Sequence, residues 1–425
     1  MIDVTPTAAP PAPAPKATVP VASTPATSAA APQRLQSLDA YRGLIMVALA
    51  FNGFGLAATA RNHLRTDPDS GIWKAVHHQF EHVEWVGGGF WDLIQPSFMF
   101  MVGVAMAYSY LKRQAAGQSW GRMFGHAVTR AFILIFLGIF LISNGRDSTV
   151  WMLTNVLTQI GLGYPFLFLL WGRSPRVHAI AAAAILLGAW ALYAFYPTPG
   201  IDPVRGAPEV GITAAWAQAN LNGIAPAWQK NVGVGQAIDV WVLNLLPRRE
   251  PFVFNPGGYH AINFLASLAT MLFGLMVGEL LRSGRTSSRK FQLLVAAGVA
   301  GIVAGLVWSA LGTPIVKRIW TPSWALYSTG WCCLILAALY AIIDLRGWRA
   351  WSFPLLVVGM NSIAIYCMGQ VMRGPTSDML RTHLGRDAFN VFGTANAPFV
   401  QATLVGTVFW LICYWMYRRK IFLRI

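Results

Sequence analysis

The chain has 425 residues, 55% of them hydrophobic and 11% charged, a balance too apolar for a soluble protein of this size and one that points to an all-α, polytopic integral membrane protein. A net charge of +16 does not call for nucleic acid, because the Lys and Arg residues lie between apolar segments, where they set topology and meet anionic head groups. The four cysteines, Cys332, Cys333, Cys367 and Cys413, fall inside apolar runs with no CxxC spacing, so neither a disulfide framework nor a zinc site is implied.

Residues 1–33 are almost entirely Ala, Pro, Thr, Val and Ser and contain no aromatic residue. They are expected to be a disordered cytoplasmic tail, and the prolines that interrupt every candidate window argue against a cleaved signal peptide. The transmembrane domain, 34–425, opens with Arg34, Ser37, Asp39 and Arg42 ahead of the apolar run 44–60. Ser37 or Asp39 is expected to cap the first helix, and Arg42 to mark the cytoplasmic interface. Further spans are predicted at 90–111, 127–143, 150–171, 177–196, 260–281, 291–311, 323–343, 353–371 and 397–417, about ten helices in all. Lys and Arg are denser in the even-numbered connections than in the odd ones, and Arg418, Arg419, Lys420 and Arg424 follow the last span. Both termini are therefore expected in the cytoplasm, with the chain in the inner (cytoplasmic) membrane. The one large connection, 197–259, then lies on the outer face; its apolar stretch from Val232 to Leu246, interrupted by Asp239, reads as an amphipathic segment on that surface or capping a cavity.

The same reckoning puts His82 on the outer side, in a stretch where chemistry concentrates: His82-Val-Glu84-Trp85, a glycine run from Gly87 to Gly89, then Phe90-Trp91-Asp92 opening an apolar helix. Titratable groups at the edge of a span are costly and usually functional. His82 suits a general base, with Glu84 or Asp92 fixing its tautomer; the plainer alternative is an interfacial loop with aromatic anchors. His78-Gln-Phe-Glu81-His82 also matches the HxxEH zinc pattern, but no later glutamate stands in a context resembling a third ligand, and no metal is expected. Asn52, Asn155, Gln159, Asn361 and Ser362 lie in or beside spans, where amides commonly join helices. Lys317 and Trp320, at the outer entry of a span, suit an anionic or sugar-like group.

Read together, these residues carry a resemblance. Arg34-x-x-Ser37-Leu-Asp39-x-x-Arg42-Gly43 with Asn52, then His82-Val-Glu84-Trp85-x-Gly87 leading to Asp92-Leu-x-x-Pro96-x-Phe98-x-Phe100-x-x-Gly103, is similar to the heparan-alpha-glucosaminide N-acetyltransferase family and its bacterial relatives. Asn155-Val-Leu157, Asn255-Pro-Gly-Gly258 with Gly274-x-x-x-Gly278, Pro314-Ile-Val-Lys317-Arg-Ile-Trp320-Thr321-x-Ser323, and Gly359-Met-Asn361-Ser-Ile-Ala-Ile-Tyr366 follow in the family's order. Thr158-Gln159 stands where the family usually has Gln-Arg, so one cationic contact to CoA is missing. The resemblance implies acetyl transfer from cytosolic acetyl-CoA to an amino sugar or related glycan on the outer face. It places His82 as the catalytic group, with Asn52 beside the acetyl group and Asp92 in support. Arg42, Gln159 and Asn361 would lie along the CoA path, and Glu84, Trp85, Lys317, Trp320 and Ser323 would grip the acceptor. Expected partners are membrane lipids, the glycan acceptor and a second copy of the chain as a homodimer. The alternative at the level of fold is a transporter or lipid-linked sugar flippase in which His82 and Asp92 relay protons. The other ten-helix O-acyltransferase class fits less well, since it places a histidine in its first span and this first span has none.

Overall fold

The computed structural model describes residues 35–423; the expected tail at 1–33, Arg34 and Arg424 lie outside them. Among the described residues the chain is helical apart from isolated β-bridges. The helices run α1 (Gln36–Ala50), α2 (Leu56–Thr66), α3 (Gly71–Phe80), α4 (Ile94–Ala115), α5 (Trp120–Ser143), α6 (Val156–Leu170) and α7 (Pro175–Ala194). A long connection with two short helices, α8 (Ala214–Asn220) and α9 (Val234–Asn244), leads to α10 (Asn263–Arg282), α11 (Ser287–Ala310) and α12 (Pro322–Leu339). The chain ends with α13 (Phe353–Met360), α14 (Ser362–Val371), α15 (Arg373–Leu384) and α16 (Ala397–Arg418).

Seven of these are long and apolar enough to cross a membrane, and nine spans result if each of two bent pairs crosses as one. The protein is an all-α polytopic membrane protein, and every predicted span falls on helix, but three spans depart from a simple rod. The first bends by 46° between α1 and α2, and the ninth by 70° between α13 and α14. The fourth shortens to the 15 residues of α6, because Asn155 starts the helix late: its Oδ1 accepts from the amides of Leu157 and Thr158 at 3.1 and 3.0 Å.

The α1–α2 break has a local cause. Asn52, Gly53, Phe54 and Gly55 all have left-handed backbones, with φ between 51° and 64°, a conformation that costs about 1–3 kcal/mol at each non-glycine residue and persists only where its surroundings hold it. A Cβ on Gly55 would come within 2.2 Å of the Pro398 carbonyl oxygen, so the break is seated directly on the start of α16.

The N-terminus of α1 is capped differently from the expectation. The chain widens into a π-helical turn over Tyr340–Leu345 and delivers Asp344, whose two oxygens accept from the amides of Gln36 and Ser37, each at 3.2 Å. Ser37 already lies within the helix, and Asp39 in its first turn pairs with Arg42. A carboxylate from another span thus does the work assigned to Ser37 or Asp39.

α4 and α10 form the buried centre. A Cβ on Gly103 would sit 1.8 Å from the Met271 carbonyl oxygen, and one on Gly274 would sit 2.0 Å from that of Phe100. Backbone therefore packs on backbone, as small residues allow between membrane helices. Around this pair, α5 and α11 turn Phe132, Phe136 and Phe140, and Val299, Val303 and Val307, outward, the faces that lipid would cover. The long connection builds a small core of its own, in which Ile201, Ile212, Trp228 and Val234 pack with Trp85, Val316 and Ile319. α9 lies in it with Asp239 buried and Trp241 exposed, consistent with the amphipathic reading.

Candidate active site

Two loops meet at one end of α4 and α12. The amide of Gly87 donates to Ile315 O at 2.8 Å, and Gly87 pairs with Val316 in an isolated parallel bridge. The glycine run permits this approach: a Cβ on Gly88 would meet the Trp324 ring at 2.5 Å, and one on Gly89 would meet His78 O at the same distance. The docking carries Lys317 across to His82 and Asp92.

Asp92 is the hub. It stands in the first turn of the span Phe90–Ala115, and its side chain is 2% exposed. Its Oδ2 accepts from the amides of Val83 and Gly89, both at 3.2 Å. Its Oδ1 lies 2.8 Å from His82 Nδ1 and 3.1 Å from Lys317 Nζ, which donates to it. Lys317 Nζ is also 3.0 Å from His82 Nδ1. One nitrogen cannot serve both neighbours at once, since a protonated Nδ1 donates to Asp92 and an unprotonated one accepts from Lys317. The carboxylate and the shorter distance favour the first arrangement, which leaves the lone pair on Nε2, a nitrogen with no hydrogen-bond partner among the described residues.

His82 is 39% exposed at its side chain, and its ring lies 6.3 Å from that of Trp91. Burial pushes its pKa below the ordinary imidazole value; the cations of Lys317 and Arg318 push the same way, against the hydrogen bond and charge of Asp92. The shift favours the neutral ring, the form in which an imidazole acts as base or nucleophile.

Of the expected catalytic residues, His82 and Asp92 come together as a bonded pair. Asn52 stands exposed at the α1–α2 break, where a Cβ on the next residue, Gly53, would meet Phe80 and Trp91.

The expected acceptor residues fall in different settings. Lys317 is committed to Asp92. Trp85 is 1% exposed and donates Nε1–H to Trp228 O at 3.0 Å. Trp320, also 1% exposed, donates to Thr270 Oγ1 at 3.4 Å, and Ser323 donates to Pro314 O at 2.8 Å. All three spend their polar atoms on partners inside the protein, Trp85 and Ser323 on backbone carbonyls and Trp320 on a hydroxyl of α10, because buried polar atoms must be satisfied. Glu84 remains exposed, accepting from Trp216 Nε1 at 3.1 Å.

The expected CoA contacts divide similarly. Asn361 sits at the α13–α14 break, donating to Ile421 O and accepting from Leu423 N, each at 3.1 Å, so both ends of its amide tie down the segment after α16. Gln159 donates to Leu153 O and Ala261 O at 2.7 and 2.9 Å, joining two loops. Arg42 pairs with Asp39 and is 34% exposed at its side chain, while its Nε has no partner among the described residues.

The HxxEH reading fails on geometry. α3 ends at Phe80, Glu81 is extended and pairs with Arg61 at 3.3 Å, and His82 turns to Asp92, so His78 and His82 do not share a helical face.

Arg318 is the residue whose role sequence reasoning missed. Its guanidinium donates to Gly257 O at 2.8 Å and to Val83 O at 3.2 Å and lies 5.6 Å from the Tyr259 ring centre, joining three loops at the site. The signal was the Lys317-Arg318 pair, but sequence does not say which of two adjacent cations is structural.

No family model matches the chain. It is 23% identical over 437 residues to the human heparan-alpha-glucosaminide N-acetyltransferase, an alignment covering 93% of this chain and 61% of that protein. The mouse protein of the same name is 23% identical over 434 residues, with the same coverage. The chain spans about three-fifths of the length of these relatives, and the relationship is distant but runs through nearly the whole sequence.

Proposed function

We propose that this chain is a membrane acetyltransferase that moves an acetyl group from acetyl-CoA to the amine of an amino sugar or related glycan, with His82 as its reacting group. The observation that carries the reading is the geometry of His82: a partly exposed imidazole whose Nδ1 lies 2.8 Å from Asp92 Oδ1 and whose Nε2 has no hydrogen-bond partner among the described residues. The distant relationship to N-acetyltransferases supports the reaction class.

In the reaction a C–N bond forms, the C–S bond of the thioester breaks, and the amine proton ends on the CoA sulfur. Nε2 either takes that proton from the amine as it attacks the thioester, or attacks the carbonyl first and carries the acetyl group to the amine. In both routes the ring becomes cationic while Nδ1–H stays bonded to Asp92, which stabilises the positive charge as it develops. Lys317 neutralises Asp92 at rest and disfavours protonation of the ring, so His82 enters the reaction unprotonated and readily gives up what it takes. The donor would approach from the cytoplasmic side past Arg42, whose guanidinium suits a phosphate, and the acceptor from the outer face. The test is direct: purified protein with labelled acetyl-CoA and a panel of amino sugars should yield acetylated sugar, and His82→Ala should not. Absence of product with every acceptor and every acyl-CoA offered would refute the assignment.

A further inference from the structure

Between Asp92 and Asp202 the sequence carries a single carboxylate, Asp147, which follows the C-terminal end of α5. The opposite end of α5, where α4 and α6 also stop, receives only cations from this stretch: Lys112, Arg113, Arg122 and Arg130, with Arg173 and Arg176 after α6. Lys112 and Arg122 are exposed, as charges beside a span usually are. Arg113 and Arg130 are half-buried. Arg113 Nη2 donates to His126 Nε2 at 2.7 Å, a bond that requires the lone pair on that nitrogen. His126 Nδ1 then faces the Tyr110 hydroxyl at 3.4 Å. The Tyr110 ring centre is 6.4 Å from that of Tyr164. Arg130 Nη1 donates to the Tyr164 hydroxyl at 3.3 Å, and its guanidinium carbon lies 4.8 Å from the Tyr164 ring centre.

Neutral side chains thus link two guanidiniums, and among the described residues neither has a carboxylate within ion-pair distance. Glu279, near the end of α10, faces His178 at 3.3 Å instead. The Nε of Arg130 is buried and without a partner, although the residue belongs to the apolar span Trp120–Ser143. A charge there is costly unless an anion answers it. Helical side chains lean toward the N-terminus, so Arg130 reaches back toward Trp120, which is 55% exposed and stacks on Phe124 at 5.2 Å. Such aromatic pairs sit at the level of lipid head groups. Further along α5, Phe132 and Phe136 face outward. The cluster therefore lies beside a lipid-facing helix, at the other end of α4 from His82.

We propose that Arg113 and Arg130 form a binding site for the phosphate of an anionic phospholipid, entered from the bilayer at the ends of α4, α5 and α6. Two planar guanidiniums match the oxygens of a phosphodiester, and its negative charge relieves two cations that otherwise face each other across neutral groups. The acyl chains would run along the outward aromatic face of α5. A lipid phosphate reaches this depth with its chains already in the membrane, whereas a soluble phosphate would have to leave water to do so. The inference is independent of the acetyltransferase reading, because lipid binding is measured without acyl transfer.

The experiment titrates the full chain, in a neutral detergent, with phosphatidylglycerol, with phosphatidylcholine of the same acyl chains, with inorganic phosphate and with CoA. Thermal shift and lipid retained in native mass spectrometry are the two readings. Phosphatidylglycerol should raise the Tm and stay bound, and phosphatidylcholine and inorganic phosphate should do neither. Arg130→Gln should weaken phosphatidylglycerol binding about 10-fold or more, the scale of one hydrogen bond to a charged group. Arg113→Gln, nearer the helix end, should do the same and tests the site even if Arg130→Gln fails to fold. The exposed pair Lys112→Gln with Arg122→Gln should leave binding within about twofold of wild type, since charges in water are screened. Equal binding of the two lipids would overturn the proposal. So would phosphatidylglycerol binding that survives Arg113→Gln, or that is lost with the exposed pair, which would mean a diffuse surface attraction. A shift with inorganic phosphate or CoA that Arg113→Gln abolishes would also overturn it, by assigning the cluster to a soluble phosphate.

Discussion

At the scale of single residues the site is a balance of charges in which each group fixes the state of the next. His82→Ala removes only a partly exposed ring and should leave the fold intact, but it should cost at least about 10²-fold in acetyl transfer, the low end for loss of a general base. Asp92→Asn is a different kind of change. It strips the counter-ion from Lys317, whose side chain is 7% exposed, and breaking a buried pair from one side typically costs about 3–5 kcal/mol. The double variant Asp92→Asn with Lys317→Met should recover much of that stability in a thermal melt without recovering the rate. Recovery of both would mean that neither residue acts on His82. The pH profile follows from the same arrangement. The active form is the neutral ring, so kcat/KM should fall as pH drops through a His82 pKa below the ordinary value of about 6.5. Lys317→Met removes a cation that disfavours the imidazolium, so the acid limb should move to higher pH; an unmoved limb would show that the titrating group is not His82.

At the scale of elements, the residues that shape the helices were only partly legible. Apolar length located every span, because burial in lipid is written in composition. The bends were not legible, because the left-handed run from Asn52 to Gly55 is held by contact with Pro398, more than 300 positions later. Asp344 as the cap of α1 was invisible for the same reason, and so was the commitment of Trp85 and Ser323 to backbone carbonyls and of Trp320 to the Thr270 hydroxyl. Indoles near a membrane surface read alike whether they face a ligand or a core. His82 and Asp92 were legible because they lie 10 positions apart across a glycine run. The break itself can be tested with glycines. Gly55→Ala combines a strained backbone with a collision against Pro398 O and should lower the melting temperature clearly, as expected for a penalty of about 1–3 kcal/mol or more. Gly71→Ala, where an added Cβ meets nothing within 4 Å, should stay within about 0.5 kcal/mol of wild type. Equal effects would mean that the break is not held by α16.

For the molecule as a whole, the proposed chemistry depends on which way the bundle faces, and α4 provides the ruler. Its 22 residues rise about 33 Å at 1.5 Å per residue, enough to cross a hydrocarbon core of about 30 Å. The His82 loop precedes its N-terminal end; Lys112 and Arg113 lie in its last turn. If Lys and Arg mark the cytoplasmic side, Glu84 is reachable from outside and Gln114 from the cytoplasm. Both side chains are exposed, whereas Cys332, Cys333 and Cys413 are buried and Cys367 is half-buried, so single introduced cysteines should be readable with little background from the native thiols. Glu84→Cys should react with a membrane-impermeant maleimide in intact cells or right-side-out vesicles, and Gln114→Cys only after permeabilisation. The opposite pattern would invert the topology and put His82 on the side of the CoA pool, leaving an enzyme that need not pass an acetyl group across the bilayer. The expected pattern would instead require the thioester to reach through the bundle to the outer leaflet. It would also explain why the His82 loop sits at the end of the most buried pair of spans rather than apart from them.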